Sequence, residues 1–231
     1  MNKRIKMTPL FLLLILSACD LRVLDPASET GRTIGSLIEL SFLLMMIVLI
    51  TVFILFAVFM QKYRAKDYTC IPPDRKENKW FEVTWTVLPI LLLVVLAIPA
   101  VQATYSLTYK SEAEKGDLEE EGTHIEVTAE QYSFTFTYPN GKESTNDLVL
   151  PVDREVTFTL TSEDVVHSFW IPELAGKIDA IPGKETHLQV TPDEVGQYQG
   201  KCAEFCGSYH AEMRFTTRVV EEEEFERWRE E

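Results

Sequence analysis

Basic charge is scarce where a nucleic-acid or anionic-lipid partner would need it. Residues 105–231 carry 11 Lys/Arg against 28 Asp/Glu, a net of −17, whereas residues 1–104 carry 11 against 8, a net of +3. The second half therefore repels nucleic acid and anionic lipid. Its field suits a basic partner, with an association rate that falls as salt rises. Solubility is the plainer reading of the same acidity. The chain also lacks any Cys-x-x-Cys-His, which excludes a c-type haem attached to these residues. The runs long and apolar enough to cross a bilayer all lie before residue 105. A length of 231 residues allows one or two domains.

Three apolar runs organise that first part. The run from Leu10 to Leu16 follows Lys3, Arg4 and Lys6. A basic head and a short apolar stretch read as a secretory signal, too short to span a bilayer. It ends in Leu16-Ser17-Ala18-Cys19, which resembles a bacterial lipobox, so Cys19 is expected to carry a lipid after cleavage. The second run covers 34–60, and its uncharged part, 40–60, is long enough to cross about 30 Å of hydrocarbon at about 1.5 Å per residue. The third covers 83–103 and contains Pro89 and Pro99, which membrane helices tolerate.

Between the second and third runs, Lys62, Arg64, Lys66, Arg75, Lys76 and Lys79 outnumber Asp67, Asp74 and Glu77. The positive-inside rule makes this loop cytoplasmic. A helical hairpin with both ends outside agrees with an exported N-terminus. Cys70 falls in the loop, where thiols stay reduced, and receives no role. Glu82 stands at the inner mouth of the third run. Position alone favours a helix cap, where negative charge is stabilised. Proton collection for a partner subunit is the other reading.

After residue 122 the apolar period changes to two. Ile125-Glu-Val127, 134–138, 156–160, Leu188-Gln-Val190 and 215–219 alternate as half-buried strands. Pro139-Asn140-Gly141 marks a hairpin turn. Short strands with such punctuation predict an all-β sandwich or barrel, and about 100 residues suffice for a core. Residues 221–231 predict a short amphipathic helix with Phe225 and Trp228 on one face. The expected organisation is 1–19 signal peptide with lipobox, 20–104 transmembrane hairpin (spans about 36–60 and 83–103), 105–122 linker or solvated helix, and 123–231 β domain.

Chemistry concentrates in Cys202-Ala-Glu-Phe-Cys206-Gly-Ser-Tyr-His210-Ala-Glu-Met213 and in His167, which stands 35 residues before Cys202. One Cys, two His and a weak Met are the donors of a blue-copper site. The second Cys lets a pair of bridging thiolates hold two copper ions, with His167 and His210 each on one of them. Met213 and the Glu204 carbonyl are expected as weak ligands. Two other readings compete. Cys202 and Cys206 on the oxidising side suit a small disulfide loop, but that gives His210 and Met213 no purpose. Zinc accepts two Cys and two His but has no use for Met. His124 and His187 lie on strand patterns and are read as surface residues.

These residues resemble subunit II of haem-copper cytochrome c oxidases from about residue 20 to the end. The resemblance rests on Glu82-Val-Thr-Trp85-Thr with Pro89, on Ser162-Glu-Asp-Val-Val-His167-Ser-Phe-Trp, on Lys177-Ile-Asp179-Ala-Ile-Pro182-Gly183, and on the complete Cys202–Met213 motif. It implies a cupredoxin-like β barrel after the two-helix hairpin. It implies a binuclear copper centre, CuA, on His167, Cys202, Glu204 (by its carbonyl), Cys206, His210 and Met213. It implies magnesium at the Glu204 side chain, shared with subunit I, and an acid near the haem propionates in Asp179. It also implies a proton-channel role for Glu82, which raises that reading above the cap.

The resemblance further implies partners in subunits I and III and a c-type cytochrome donor, in a bacterial cytoplasmic membrane with the C-terminal domain outside. Electrons would pass through copper to haem in subunit I, where oxygen becomes water and protons cross the membrane. Many relatives place a Trp where cytochrome electrons arrive; Tyr132 takes that position here. A nitric oxide reductase subunit is the alternative that this difference leaves open. Quinol oxidase subunits share the fold but typically lack the copper ligands, and a copper chaperone would need open, exchangeable ligation.

Overall fold

The computed structural model describes residues 21–64, 76–113 and 123–231. The signal region with Cys19, the loop centre with Cys70, and residues 114–122 lie outside them. The chain divides into two units, one of residues 33–120 and one joining the N-terminal residues up to Arg32 with 121–231.

Two long helices make up the first unit. Helix α1 runs Glu29–Lys62 and α2 runs Lys79–Ala113. Each contains an apolar stretch long enough to cross a membrane, of mean hydropathy 3.2 in α1 and 2.4 in α2, with none of either stretch buried. Apolar side chains exposed all round a helix point to lipid or partner helices as their solvent. Hydroxyls inside the runs are satisfied within the helix: Ser41 donates to the Leu37 carbonyl, Thr51 to Ile47 and Thr86 to Glu82. Asn78 caps α2, its side chain accepting from the Trp80 N–H at 3.1 Å. The expected spans lie inside these helices. Helix α2 continues to Ala113, so the first half of the expected linker is helical.

The β unit consists of β1 Thr123–Glu130, β2 Ser133–Thr137, β3 Glu143–Thr145, β4 Asp147–Pro151, β5 Val156–Ser162, β6 His167–Trp170, β7 Ile178–Ala180, β8 Thr186–Val190, β9 Gly196–Cys202 and β10 Arg214–Val220, followed by α3 Glu222–Glu230. They form two five-stranded sheets, ordered β3-β2-β1-β5-β8 and β4-β10-β9-β6-β7. Each sheet contains one parallel pair, β1 with β5 and β10 with β4. This is the cupredoxin-like arrangement expected to follow the helical pair.

Between the sheets lies an aromatic core of Phe134, Phe136, Phe158, Phe169 and Phe215, all at most 3% exposed. Phe169 and Phe215 stack at 5.0 Å, and Phe134 meets Phe215 edge-on at 5.1 Å. Phe215 is the register partner of Gly200. A Cβ on Gly200 would sit 2.0 Å from the Phe215 ring, so only glycine fits there. On the edge strand β4, the Tyr138 hydroxyl accepts from the Val149 N–H at 2.8 Å and donates to its carbonyl at 3.1 Å. The predicted tail helix is α3; Phe225 is fully buried and Trp228 packs on Tyr138 at 4.8 Å.

One part of this unit carried no sequence signal. Residues 21–32, expected with the hairpin, pack with the β domain. Ala27 is buried; its N–H donates to the Glu173 carbonyl at 2.8 Å and its carbonyl accepts from the Asp193 N–H at 3.1 Å. The Ser28 hydroxyl donates to the Leu174 carbonyl and accepts from the Gly31 N–H at 2.8 Å, capping α1. Arg32 pairs with Asp193.

Candidate metal centre

Three neighbouring strands of the second sheet build the site. Side chains two apart on a strand share a face. On β6, His167 is two residues from Phe169. On β9, Cys202 is two residues from Gly200. Met213 is two residues before Phe215 of β10. Phe169 pairs with Cys202, and Phe215 with Gly200, so the inward face of β10-β9-β6 passes from an aromatic layer into a layer of donors. The loop after Cys202 adds Cys206, and the 3-10 turn His210–Glu212 adds His210.

His167, Cys202 and Cys206 are buried and gather their donor atoms within 4.8 Å of one another. The two sulfurs stand 3.8 Å apart as free thiols. His167 Nδ1 lies 3.9 Å from Cys202 Sγ, and the Glu204 carbonyl oxygen 3.2 Å from the same sulfur. His210 Nδ1 lies 3.5 Å from Cys206 Sγ, and Met213 Sδ 3.7 Å from it. All six expected donors therefore meet, in two sets around two sulfurs. Burial first, then the neighbouring Cys202, pushes the Cys206 thiol up to about 12. A metal taking this thiolate must release its proton.

Several positioning contacts were not read from the sequence. Asp164 Oδ1 lies 2.8 Å from His167 Nε2, which leaves Nδ1 turned to the sulfurs. Burial works against the Asp164 charge, but hydrogen bonds from His167, the Val165 N–H and the Gln131 N–H hold its carboxyl below the usual range. Gln131 Nε2 donates to the Cys206 carbonyl at 2.6 Å. The Tyr132 hydroxyl accepts from the Ser208 N–H at 3.1 Å, and its ring meets Tyr209 edge-on at 5.4 Å. A Cβ on Gly207 would lie 2.5 Å from that hydroxyl. Tyr132 was expected for electron entry, but nothing in the sequence marked its bond to Ser208 or the parts of Asp164 and Gln131 in this shell. Tyr209 and Phe205 are 62% and 77% exposed, giving the donor loop an aromatic outer surface.

Other expected residues lie apart from the donors. The Glu204 carboxylate pairs with Lys177 at 3.5 Å, and Lys177 also reaches Asp179 at 3.6 Å. Glu82 sits in the first turn of α2, 3.1 Å from Lys79. His124 is on β1 and His187 on β8, where its ring lies 3.1 Å from the Thr159 hydroxyl. Neither is among the residues of the cluster.

Fold and site together define a β-barrel protein with two long apolar helices and a thiol–imidazole–thioether donor set. Two family descriptions match it: the periplasmic domain of cytochrome c oxidase subunit II over residues 96–220, and the transmembrane domain of the same subunit over 17–103. The chain belongs to the cytochrome c oxidase subunit II family. It is 40% identical to cytochrome c oxidase subunit 2 of Alkalihalophilus pseudofirmus over 94% of this chain and 65% of that one. It is 36% identical to quinol oxidase subunit 2 of Bacillus spizizenii, over 93% of this chain and 67% of the other. The chain thus spans about two thirds of the length of these two relatives. Among solved structures, the periplasmic domain of subunit II of cytochrome oxidase (CoxB) of Bradyrhizobium japonicum aligns over 47% of this chain and 91% of its own. Its sequence identity is 33% and its TM-score 0.45.

Proposed function

We propose that this chain receives electrons from a c-type cytochrome and delivers them, through a binuclear copper centre, to haem in subunit I of a respiratory oxidase that reduces oxygen and moves protons. The observation that carries the reading is the donor set: two buried free sulfurs 3.8 Å apart, flanked by His167, His210, Met213 and the Glu204 carbonyl. Soft thiolate and thioether donors with imidazoles fit copper and leave zinc no use for Met213. Bound there, a copper pair supplies reversible one-electron transfer with the charge shared over two ions.

The chain's own residues supply the rest. Asp164 orients His167, the Phe169–Phe215 stack holds the strands that carry the donors, and burial excludes water from the sulfurs. A rigid donor set limits the rearrangement that accompanies each electron. Tyr132, bonded to the donor loop at Ser208, is assigned to electron input, and the exposed Tyr209 and Phe205 to its surroundings. Glu82 is assigned to proton uptake for subunit I. Magnesium at Glu204 requires Lys177 to release the carboxylate, so it belongs to the assembled complex. Subunit III, lipidation of Cys19 and a bacterial cytoplasmic-membrane location complete the assignment.

Relatives named as quinol oxidase subunits make the electron donor the point to test. The intact complex is assayed for oxygen and nitric oxide consumption with reduced cytochrome c and with a quinol, alongside copper content and EPR. Two coppers sharing one electron, with cytochrome-driven oxygen uptake, are expected. Quinol-only turnover without copper would sink the proposal, and nitric oxide turnover would favour the alternative acceptor.

A further inference from the structure

A cavity of about 340 Å³ opens in the β unit, and none of the six donors lines it. Three cations do: Arg22, Lys201 and Arg214. Two of them, Lys201 and Arg214, belong to the half that carries a net of −17 and reverse its charge locally. Lys201 and Arg214 are register partners across β9 and β10, so two cationic side chains leave the same rung of the sheet. Such a pair costs stability unless an anion neutralises it. No described carboxylate does so. The Lys201 ammonium stands 4.6 Å over the Trp170 ring, and Arg214 Nε donates to the Ala211 carbonyl at 3.1 Å. Arg22 bonds to Gln199 at 2.9 Å and lies 3.9 Å from Glu173. The remaining walls include Leu21, Val23, Trp170 and Pro172, which are apolar.

We propose that this cavity binds a phosphate oxyanion between Lys201 and Arg214, with Arg22 as the third cation, from a ligand whose apolar part lies on Trp170, Leu21 and Val23. A guanidinium fork beside an ammonium matches a tetrahedral oxyanion with several acceptor oxygens. The phosphate oxygens point in several directions and can meet a guanidinium and an ammonium together, whereas the two oxygens of a carboxylate lie in one plane. The chemistry is shared by a phospholipid head group and by soluble phosphate. Lys201 directly precedes Cys202 and Arg214 directly follows Met213, so the oxyanion would sit on the rung next to two of the donors. The electron-transfer assignment is not needed for this site, nor does it depend on it.

The test uses the full chain, wild type and K201Q/R214Q, in neutral detergent and in bilayer discs of phosphatidylcholine with or without phosphatidylglycerol. Inorganic phosphate is titrated against sodium chloride of equal ionic strength, read by thermal unfolding and phosphorus NMR line width. In wild type, phosphate or phosphatidylglycerol raises Tm by several degrees, and the affinity falls about tenfold or more in the variant. Response to inorganic phosphate identifies a soluble source; response to phosphatidylglycerol alone identifies a head group. Without either probe, the variant should melt close to wild type, because the repulsion removed offsets the lost Lys201–Trp170 contact and Arg214–Ala211 bond. Equal responses of both proteins to both probes would overturn the site. So would a variant that melts well below wild type unliganded, which would make the cations structural.

Discussion

Replacing Asp164 with Asn isolates the residue that aims His167. The carboxylate lies 2.8 Å from His167 Nε2, 2.8 Å from the Gln131 N–H and 2.6 Å from the Val165 N–H. Asn keeps the shape and can keep a carbonyl acceptor toward Nε2, but it removes the negative charge that fixes the tautomer and raises the basicity of Nδ1. Loss of such a partner typically weakens a metal site by 10- to 100-fold, or about 1.4–2.7 kcal/mol. The low end is favoured, because the Asp164 side chain is 31% exposed and water screens part of its charge. The assay is chelator competition for copper on the full chain, with EPR of the loaded form. Thermal unfolding of the copper-free variant separates ligand aiming from folding. It should lose only about 0.5–1.5 kcal/mol, since Asn keeps one oxygen for His167 and the Val165 N–H but turns its NH2 toward the Gln131 N–H, so one hydrogen bond is lost. Unchanged copper affinity would refute the reasoning, and an affinity loss matched by an equal loss of copper-free stability would assign Asp164 to folding.

Three further outcomes follow from the same structure. Tyr138→Phe strips both bonds from buried Val149 and should cost about 1–3 kcal/mol in chemical denaturation. Burial, its largest cause, pushes the Tyr138 hydroxyl far above its ordinary value, outweighing the opposing Val149 bond. Above about pH 10 the unfolded chain therefore loses a proton that the folded chain keeps, so wild-type stability falls with rising pH, and Tyr138→Phe should lack that part of the slope. Gly200→Ala drives a methyl into the Phe215 ring, costing about 1–3 kcal/mol or more, and Phe215→Leu in the same chain should recover part of the loss; equal stability of wild type and Gly200→Ala would contradict the packing. Reduction of the assembled complex by a basic c-type cytochrome should slow about tenfold or more from low to physiological salt, whereas a salt-independent rate would remove the role given to the −17 charge.

What the sequence revealed depended on how many faces of each element meet water. Strands β1, β2, β5, β8 and β10 announced themselves through alternation, because one face is polar. Strand β4 is buried at four consecutive positions, Leu148 to Pro151, and so shows no alternation. Strand β9, Gly-Gln-Tyr-Gln-Gly-Lys-Cys, has almost no apolar residues because the Phe215 ring fills the space above Gly200. The donors were legible as soft residues at short spacing. Asp164 was not, since its function depends on Gln131, 33 positions away. The docking of residues 21–28 was hidden for a similar reason: Ala27 and Ser28 are held mainly by backbone groups of Glu173, Leu174 and Asp193, which no side-chain pattern records.

The donor layer also explains why so specialised a site needs so little dedicated architecture. His167, Cys202 and Met213 each occupy the next inward position after a core residue of the same strand or its immediate extension. Extending the period of two by one step past Phe169, Gly200 and Phe215 reaches these three donors. The alternation that buries the phenylalanines therefore aims the donors, and the stack at 5.0 Å that fixes those rings fixes the strand spacing from which the donors project. Cys206, His210 and the Glu204 carbonyl come from the loop, where Tyr132 and Gln131 hold the backbone at Ser208 and Cys206. Precision is inherited from the core on one side and imposed by hydrogen bonds on the other. Damage on the two sides should therefore differ in kind: disturbing the core shifts copper affinity and fold stability together, whereas disturbing the loop shifts affinity first.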